Sequence, residues 1–204
     1  MVFSSMIFLW IFLPTVLICY FLSPQRFRNG LLVFFSLLFY AWGEPVYIFL
    51  MLLCVGVNYT GGQMLEKYPR QKKKVLCITV VVNLLLLCYF KYFGLLADLL
   101  NGIITAAGGS GFSFTQAALP VGISFYTFQA LSYVIDVYRG EVKAQKKFGY
   151  VLLYISFFPQ LIAGPIVKYK NIEKQIQKRR VTVEKFAAGI MRFICGLGKK
   201  VLLA

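Results

Sequence analysis

Long apolar runs alternate with short basic connections along this chain, and the alternation predicts its elements. Met1 to Leu22 is interrupted only by Ser4, Ser5, Pro14 and Thr15, and it lacks the basic start and small-residue cleavage site of a signal peptide. It reads as a first membrane span at about 3–22. A basic turn with Arg26 and Arg28 comes next. The run from Leu31 to Asn58 is too long for one helix crossing a hydrocarbon core of about 30 Å at about 1.5 Å per residue. Gly43-Glu44-Pro45 divides it, because proline disfavours helix at the residue before it and glycine suits a helix end. This predicts spans at about 31–43 and 46–62, with Tyr40, Trp42 and Tyr47 as an aromatic belt and Glu44 as a turn acid or helix cap. After EKYPRQKKK at 66–74, a span at about 75–91 ends on Lys91, placed to snorkel. The stretch 94–107, with Asp98 and Asn101, predicts a separate amphipathic helix in the interface. Gly108 to Gly111 reads as a flexible loop.

The run LPVGISFYTFQALSYVIDVYRG predicts a helix at about 119–139. On a helical wheel Gln129, Ser132 and Asp136 fall together, with Tyr133 alongside, while Phe128, Leu131, Val134 and Ile135 fall away. The pattern predicts a polar face toward protein or water and an apolar face toward lipid. The polar face suits either a cavity wall or interhelical hydrogen bonding. Asp136 also stands three residues before Arg139, a spacing that permits a simple ion pair.

Basic residues set the topology of the next segments. Arg139 to Lys147 carries four basic residues against Glu141, and Lys168 to Lys185 carries seven against two acids. Both read as cytoplasmic. The apolar run between them, 148–167, therefore starts and ends on the same side. Pro159, Gly164 and Pro165 supply the break of a re-entrant segment, with Gln160 at its turn. Counting back from that side puts the N-terminus outside the cytoplasm and 94–118 outside as well. A further helix begins at 183–204, carries Arg192, Lys199 and Lys200, and reaches Ala204 with no capping or polar segment, which reads as a chain cut in mid-protein.

Composition agrees with a polytopic membrane protein, an all-α bundle: 59% of the 204 residues are hydrophobic and the mean hydropathy is +0.73. The formal charge of +15 lies almost wholly in the connections. It is explained by topology and by attraction to anionic lipid, so nucleic acid is not a predicted partner. The five cysteines lie in apolar runs without C-x-x-C spacing and read as small buried hydrophobes. There is no histidine.

LPVGISFYTFQALSYVIDVYRG, YISFFPQLIAGPIVKY, AWGEP near residue 43 and the terminal GLGKKVLLA together resemble the membrane-bound O-acyltransferase family, in particular its bacterial alginate O-acetylation and lipoteichoic-acid D-alanylation branch. The resemblance implies a polytopic enzyme about twice this length that passes an acyl group from a cytoplasmic donor to hydroxyls of an extracytoplasmic polymer. It implies no bound cofactor. An acyl thioester or another acyl donor, free or on a carrier protein, would be the co-substrate. The implied partners are the bilayer, that donor, and a polysaccharide acceptor or accessory acetylation protein. It also implies a central tunnel and a catalytic histidine in a C-terminal half, and no position here matches that histidine.

The residues themselves support a positioning role. Acyl transfer to a sugar hydroxyl needs a base of near-neutral pKa within hydrogen-bond reach of the attacking oxygen. The Ser, Thr and Tyr residues of this chain have no adjacent imidazole. Gln129, Ser132, Tyr133, Asp136, Pro159, Gln160, Gly164 and Pro165 are instead the candidate lining of a passage. A transporter- or channel-like subunit would use the same features, although no internal repeat relates the first and second hundred residues. A non-catalytic membrane scaffold is the third reading.

Overall fold

The computed structural model describes residues 5–106, 119–161, 165–179 and 181–203, with only the backbone at Leu203. Every regular element among them is helical. The first apolar run forms a π-helical turn, Phe8–Phe12, that leads into α1, Leu13–Leu22. The wide turn, in which the Leu13 N–H reaches back to the Phe8 carbonyl, makes room for the ring of Pro14. Helix α2, Arg28–Gly43, stops where Glu44 leaves helical geometry ahead of Pro45. Glu44 thus closes α2. It does not cap α3, Ile48–Lys67, whose N-terminal flank Tyr47 makes no side-chain cap.

A 3₁₀ turn, Pro69–Gln71, opens α4, which runs unbroken over Lys72–Ala106. The predicted change of element near residue 92 does not occur. Asp98 and Asn101 are single polar residues on a helix without proline, and neither interrupts the backbone ladder. At about 1.5 Å per residue these 35 residues extend about 52 Å, well beyond a bilayer core. The remaining helices are α5 (Ile123–Tyr138), α6 (Phe148–Ser156), the single turn α7 (Phe158–Leu161), α8 (Tyr169–Gln177) and α9 (Val183–Leu203).

Helix α3 is the hub, packed on α4, α5 and α6, while α2 packs on α1 and α6. Two adjacent glycines of α3 allow this. A Cβ at Gly61 would stand 2.7 Å from Thr79 Oγ1 of α4, and one at Gly62 would stand 2.9 Å from Tyr133 Oη of α5. Both contacts are too short for any larger residue without movement, the small-residue packing that membrane helices favour. Between α3 and α4, buried Asn58 and Asn83 exchange side-chain hydrogen bonds of 2.8 and 3.2 Å. Each also donates to a backbone carbonyl one turn earlier, of Cys54 or Thr79. The rings of Phe8, Phe12, Phe39 and Phe158 meet at centroid distances of 5.3 to 6.2 Å.

Outside this core the bundle shows apolar side chains: Trp10, Phe34, Phe49 and Leu85 are 76%, 62%, 73% and 64% exposed. An aqueous exterior disfavours such a surface. Among the described residues two helical segments, Ile48–Lys67 and Pro69–Ala106, are long and apolar enough to cross a bilayer. The same surface corrects the reading of the cysteines. Only Cys54 is buried, whereas Cys77, Cys88 and Cys195 are exposed, because apolar runs here face outward as well as inward.

The basic connections gather at one end. Asn29, in the first turn of α2, donates to the Ile176 carbonyl of α8. Glu66, at the end of α3, accepts from the Ala144 N–H. Lys170 pairs with Glu141 at 3.0 Å. The 43–47 turn and residues 119–122 meet at the opposite end, where Tyr40 donates to the Val121 carbonyl.

Candidate functional site

Beside α5 the chain makes a hairpin. Helix α6 descends from Phe148 to Ser156, the backbone breaks at Phe157 (φ −56°, ψ 111°), and α7 forms the tip. Residues 165–168 then return without regular structure to Tyr169. The tip lies by the N-terminal end of α5: a Cβ at Gly122 would meet the Leu161 carbonyl oxygen at 3.2 Å. The mouth lies by the C-terminal end, where Gln145 Nε2 donates to Tyr169 Oη at 2.9 Å. Within the predicted stretch 148–167, the described residues form two arms, 148–161 and 165–167.

The break has a local chemistry. In a continuous helix the Phe158 N–H would bond the Tyr154 carbonyl four residues earlier. Here each orphan finds a side chain. Gln129 Nε2 of α5 donates to the Tyr154 carbonyl at 2.6 Å, and the Phe158 N–H donates to Ser36 Oγ of α2 at 3.2 Å. Gln129 and Ser36 are both fully buried. An unpaired backbone group at that depth would cost about 1–3 kcal/mol, so these two side chains are what make the break tolerable. The two arms are tied by Tyr154 Oη, which donates to the Val167 carbonyl at 2.7 Å.

At the mouth the 139–147 connection is clamped onto α3. Tyr59 Oη donates to the Lys146 carbonyl and Gln63 Nε2 to the Gln145 carbonyl, each at 2.8 Å. Tyr133 Oη accepts from the Gln145 N–H at 2.9 Å, and the Tyr133 and Tyr154 rings flank Tyr169 at 5.0 and 5.1 Å. Gly140, with φ +74°, turns the chain out of α5, and the Gly140 and Glu141 N–H groups bond the Val137 and Asp136 carbonyls. The Lys170 ammonium bonded to exposed Glu141 holds that carboxyl below its usual range.

The candidate residues divide in three. Gln129 and Tyr133 are buried parts of this network, and Ser132 is half-buried beside Tyr154. Asp136 is 2% exposed, and its Oδ2 has no hydrogen-bond partner. The pairing of Asp136 with Arg139 is absent. The ion pair among the described residues is Lys170–Glu141, because Arg139 stands just past the end of α5 and is exposed. Gln160 lines a cavity of about 210 Å³ between the hairpin and α8, with Tyr154, Phe157, Val167 and Arg179. The Gln160 Nε2 is buried and unpartnered. Pro159 and Pro165 are exposed, and Gly164 lies outside the described residues. The predicted lipid face of α5 is mixed: Leu131 and Val134 are buried, Ile135 is half-buried and Phe128 is exposed. Helices α3, α4, α6 and α8 all pack against α5.

Sequence reasoning missed Ser36, Asn58, Asn83, Gln63 and Gln145. For the first three a signal existed, since a lone polar residue in an apolar run is expensive unless paired. Gln145 sits in a polar connection and gave none.

The chain is similar to the probable alginate O-acetylase AlgI of Pseudomonas aeruginosa, 43% identical over 207 residues that take in all of this chain and 40% of that protein. The AlgI of Azotobacter vinelandii is 42% identical over all of the chain and 42% of its own length. These similarities fit the membrane-bound O-acyltransferase family. The apolar helices give the chain membrane character. A more distant member, the peptidoglycan O-acetyltransferase of Helicobacter pylori, is 29% identical over all of the chain and 44% of its own length. The chain thus spans about two fifths of the length of the curated relatives it matches. No family model matches the chain, and no solved structure matches it.

Proposed function

We propose that this chain forms the N-terminal part of a polytopic acyltransferase that moves an acyl group, in the first instance acetyl, to hydroxyls of an extracytoplasmic polysaccharide. The observation that carries the reading is the 43% identity over the whole chain to a probable alginate O-acetylase. The geometry supports a division of labour. The chain supplies no imidazole, so the general base comes from elsewhere in the enzyme. What this part supplies is the broken hairpin, a backbone irregularity of the kind tolerated at membrane depth only inside protein or along a water-filled path. Gln160 and Tyr154, at the cavity between the hairpin and α8, line that path in this reading.

In this proposal the basic end is cytoplasmic, 148–167 re-enters from that side, and the N-terminus is extracytoplasmic. The acyl donor, a thioester or a carrier-borne group, approaches from the basic end, and the polymer or an accessory acetylation protein from the other. No cofactor is held. A chimera in which this chain replaces the matching 207 residues of the Pseudomonas aeruginosa relative tests the reading. Membranes bearing the chimera should form acetyl ester on alginate, and membranes bearing this chain alone should form none. Absence of ester from a correctly inserted chimera, or turnover by the chain alone, would overturn it.

A further inference from the structure

Where α1, α2 and α8 meet, two arginines attend one tyrosine. The Arg28 and Arg179 guanidinium carbons lie 5.0 and 5.9 Å from the centroid of the Tyr20 ring. An aromatic face supplies part of the field that compensates each guanidinium. No carboxylate supplies the rest, because neither arginine forms an ion pair among the described residues. The guanidinium groups are also held in place. Arg28 Nε donates to the Ser23 carbonyl at 3.1 Å. Arg179 Nε donates to the Gln175 carbonyl at 3.1 Å and its Nη2 to Asn29 Oδ1 at 2.6 Å. Asn29 is itself fixed by its bond to the Ile176 carbonyl at 2.8 Å.

These side chains line a cavity of about 450 Å³ together with Tyr20, Gln25 and Lys178. Tyr20 is only 8% exposed, yet its hydroxyl is buried with no hydrogen-bond partner. A buried hydroxyl without a partner carries a cost that a ligand would remove. Preset guanidinium forks, an ammonium and an unspent hydroxyl donor together match a tetrahedral oxyanion. We propose that the Tyr20–Arg28–Arg179 cavity binds a phosphate group. Its source is either an anionic phospholipid headgroup at the bilayer surface or a soluble phosphate compound, and the chemistry is the same. This goes beyond the acyl-transfer reading and holds whether or not that reading survives.

The test uses the whole chain purified in detergent. One arm measures retention of phosphatidylglycerol by native mass spectrometry after exchange into mixed phosphatidylglycerol and phosphatidylcholine micelles. The other titrates the delipidated chain with inorganic phosphate by calorimetry. One tightly retained phosphatidylglycerol without phosphate binding assigns the site to a headgroup, and phosphate binding assigns it to a soluble compound. In either case Arg179→Gln should lower affinity about tenfold or more, and Tyr20→Phe about three- to tenfold, from the loss of charge-assisted hydrogen bonds. Lys72→Gln with Lys73→Gln, remote basic substitutions, should leave it unchanged. Tyr20→Phe keeps the ring that both guanidinium groups approach, so it decides the matter if the arginine variant does not fold. No binding in either arm, or binding that Tyr20→Phe leaves intact or that Lys72→Gln with Lys73→Gln weakens equally, overturns the proposal.

Discussion

The helix break at Phe157 rests on two side chains from different helices, and this can be measured. Ser36→Ala removes the acceptor of the Phe158 N–H, bonded at 3.2 Å in a fully buried position. Stranding a buried donor costs about 1–3 kcal/mol. Gln129→Met removes the donor to the Tyr154 carbonyl, but also removes Gln129 Oε1, which is buried without a partner. The second change offsets part of the first, leaving a net loss of about 1 kcal/mol. In the double variant both orphans are free, and the Phe158 N–H and Tyr154 carbonyl can bond each other as in an ordinary helix. The double variant should therefore lose less than the two singles together, by about 1 kcal/mol, a coupling typical of groups in one network. The assay is thermal unfolding in detergent, monitored by loss of the monodisperse peak. For a chain of this length about 1 kcal/mol corresponds to roughly 2–4 °C in Tm. Additive losses, or a neutral Ser36→Ala, would refute the idea that these two side chains sustain the break.

Three further outcomes are expected. Gly61→Ala should destabilise by about 1–3 kcal/mol, because the new Cβ would stand 2.7 Å from Thr79 Oγ1 and 2.9 Å from its Cγ2. Adding Thr79→Ala should recover most of that loss, since the Thr79 Cβ lies at 3.4 Å, and unfolding temperatures of the four proteins check this. The Glu141–Lys170 pair at the hairpin mouth contributes stability only while Glu141 is ionised. Its carboxyl is held low, so the contribution is complete above the ordinary Glu pKa of about 4.3 and disappears as pH falls through the lower folded value. Stability profiles of the native chain and Glu141→Gln from pH 3 to 6 should accordingly differ at the upper end and merge at the lower; a constant difference would count against the pair. Finally, Lys143→Cys and Lys174→Cys, placed either side of the hairpin, should both react with an impermeant maleimide from the same face of sealed vesicles. Labelling from opposite faces would exclude re-entrance.

Periodicity and charge, read along the chain alone, determined the helical class and the division at Gly43–Pro45. They did so because burying backbone in hydrocarbon leaves few alternatives to helices, and because cations are excluded from it. The charges alone suggested that 148–167 starts and ends on one side; beyond its two ends, Gln145 bonds Tyr169. Tertiary packing decided what local patterns cannot encode. Leu131, Val134 and Phe128 share the apolar arc of α5, yet packing buries the first two and leaves Phe128 exposed. Helix α4 runs on through its weakly polar C-terminal third because nothing in its backbone stops it. Gln129 reads on the sequence as one polar residue on a stripe; only the placement of Tyr154 and Ser36 shows that it serves a broken hydrogen bond on another helix. Arg28 and Arg179, 151 positions apart in the chain, both reach the Tyr20 ring only through tertiary packing. A side chain's type and spacing set what it can bond, whereas which orphaned group it meets depends on long-range packing.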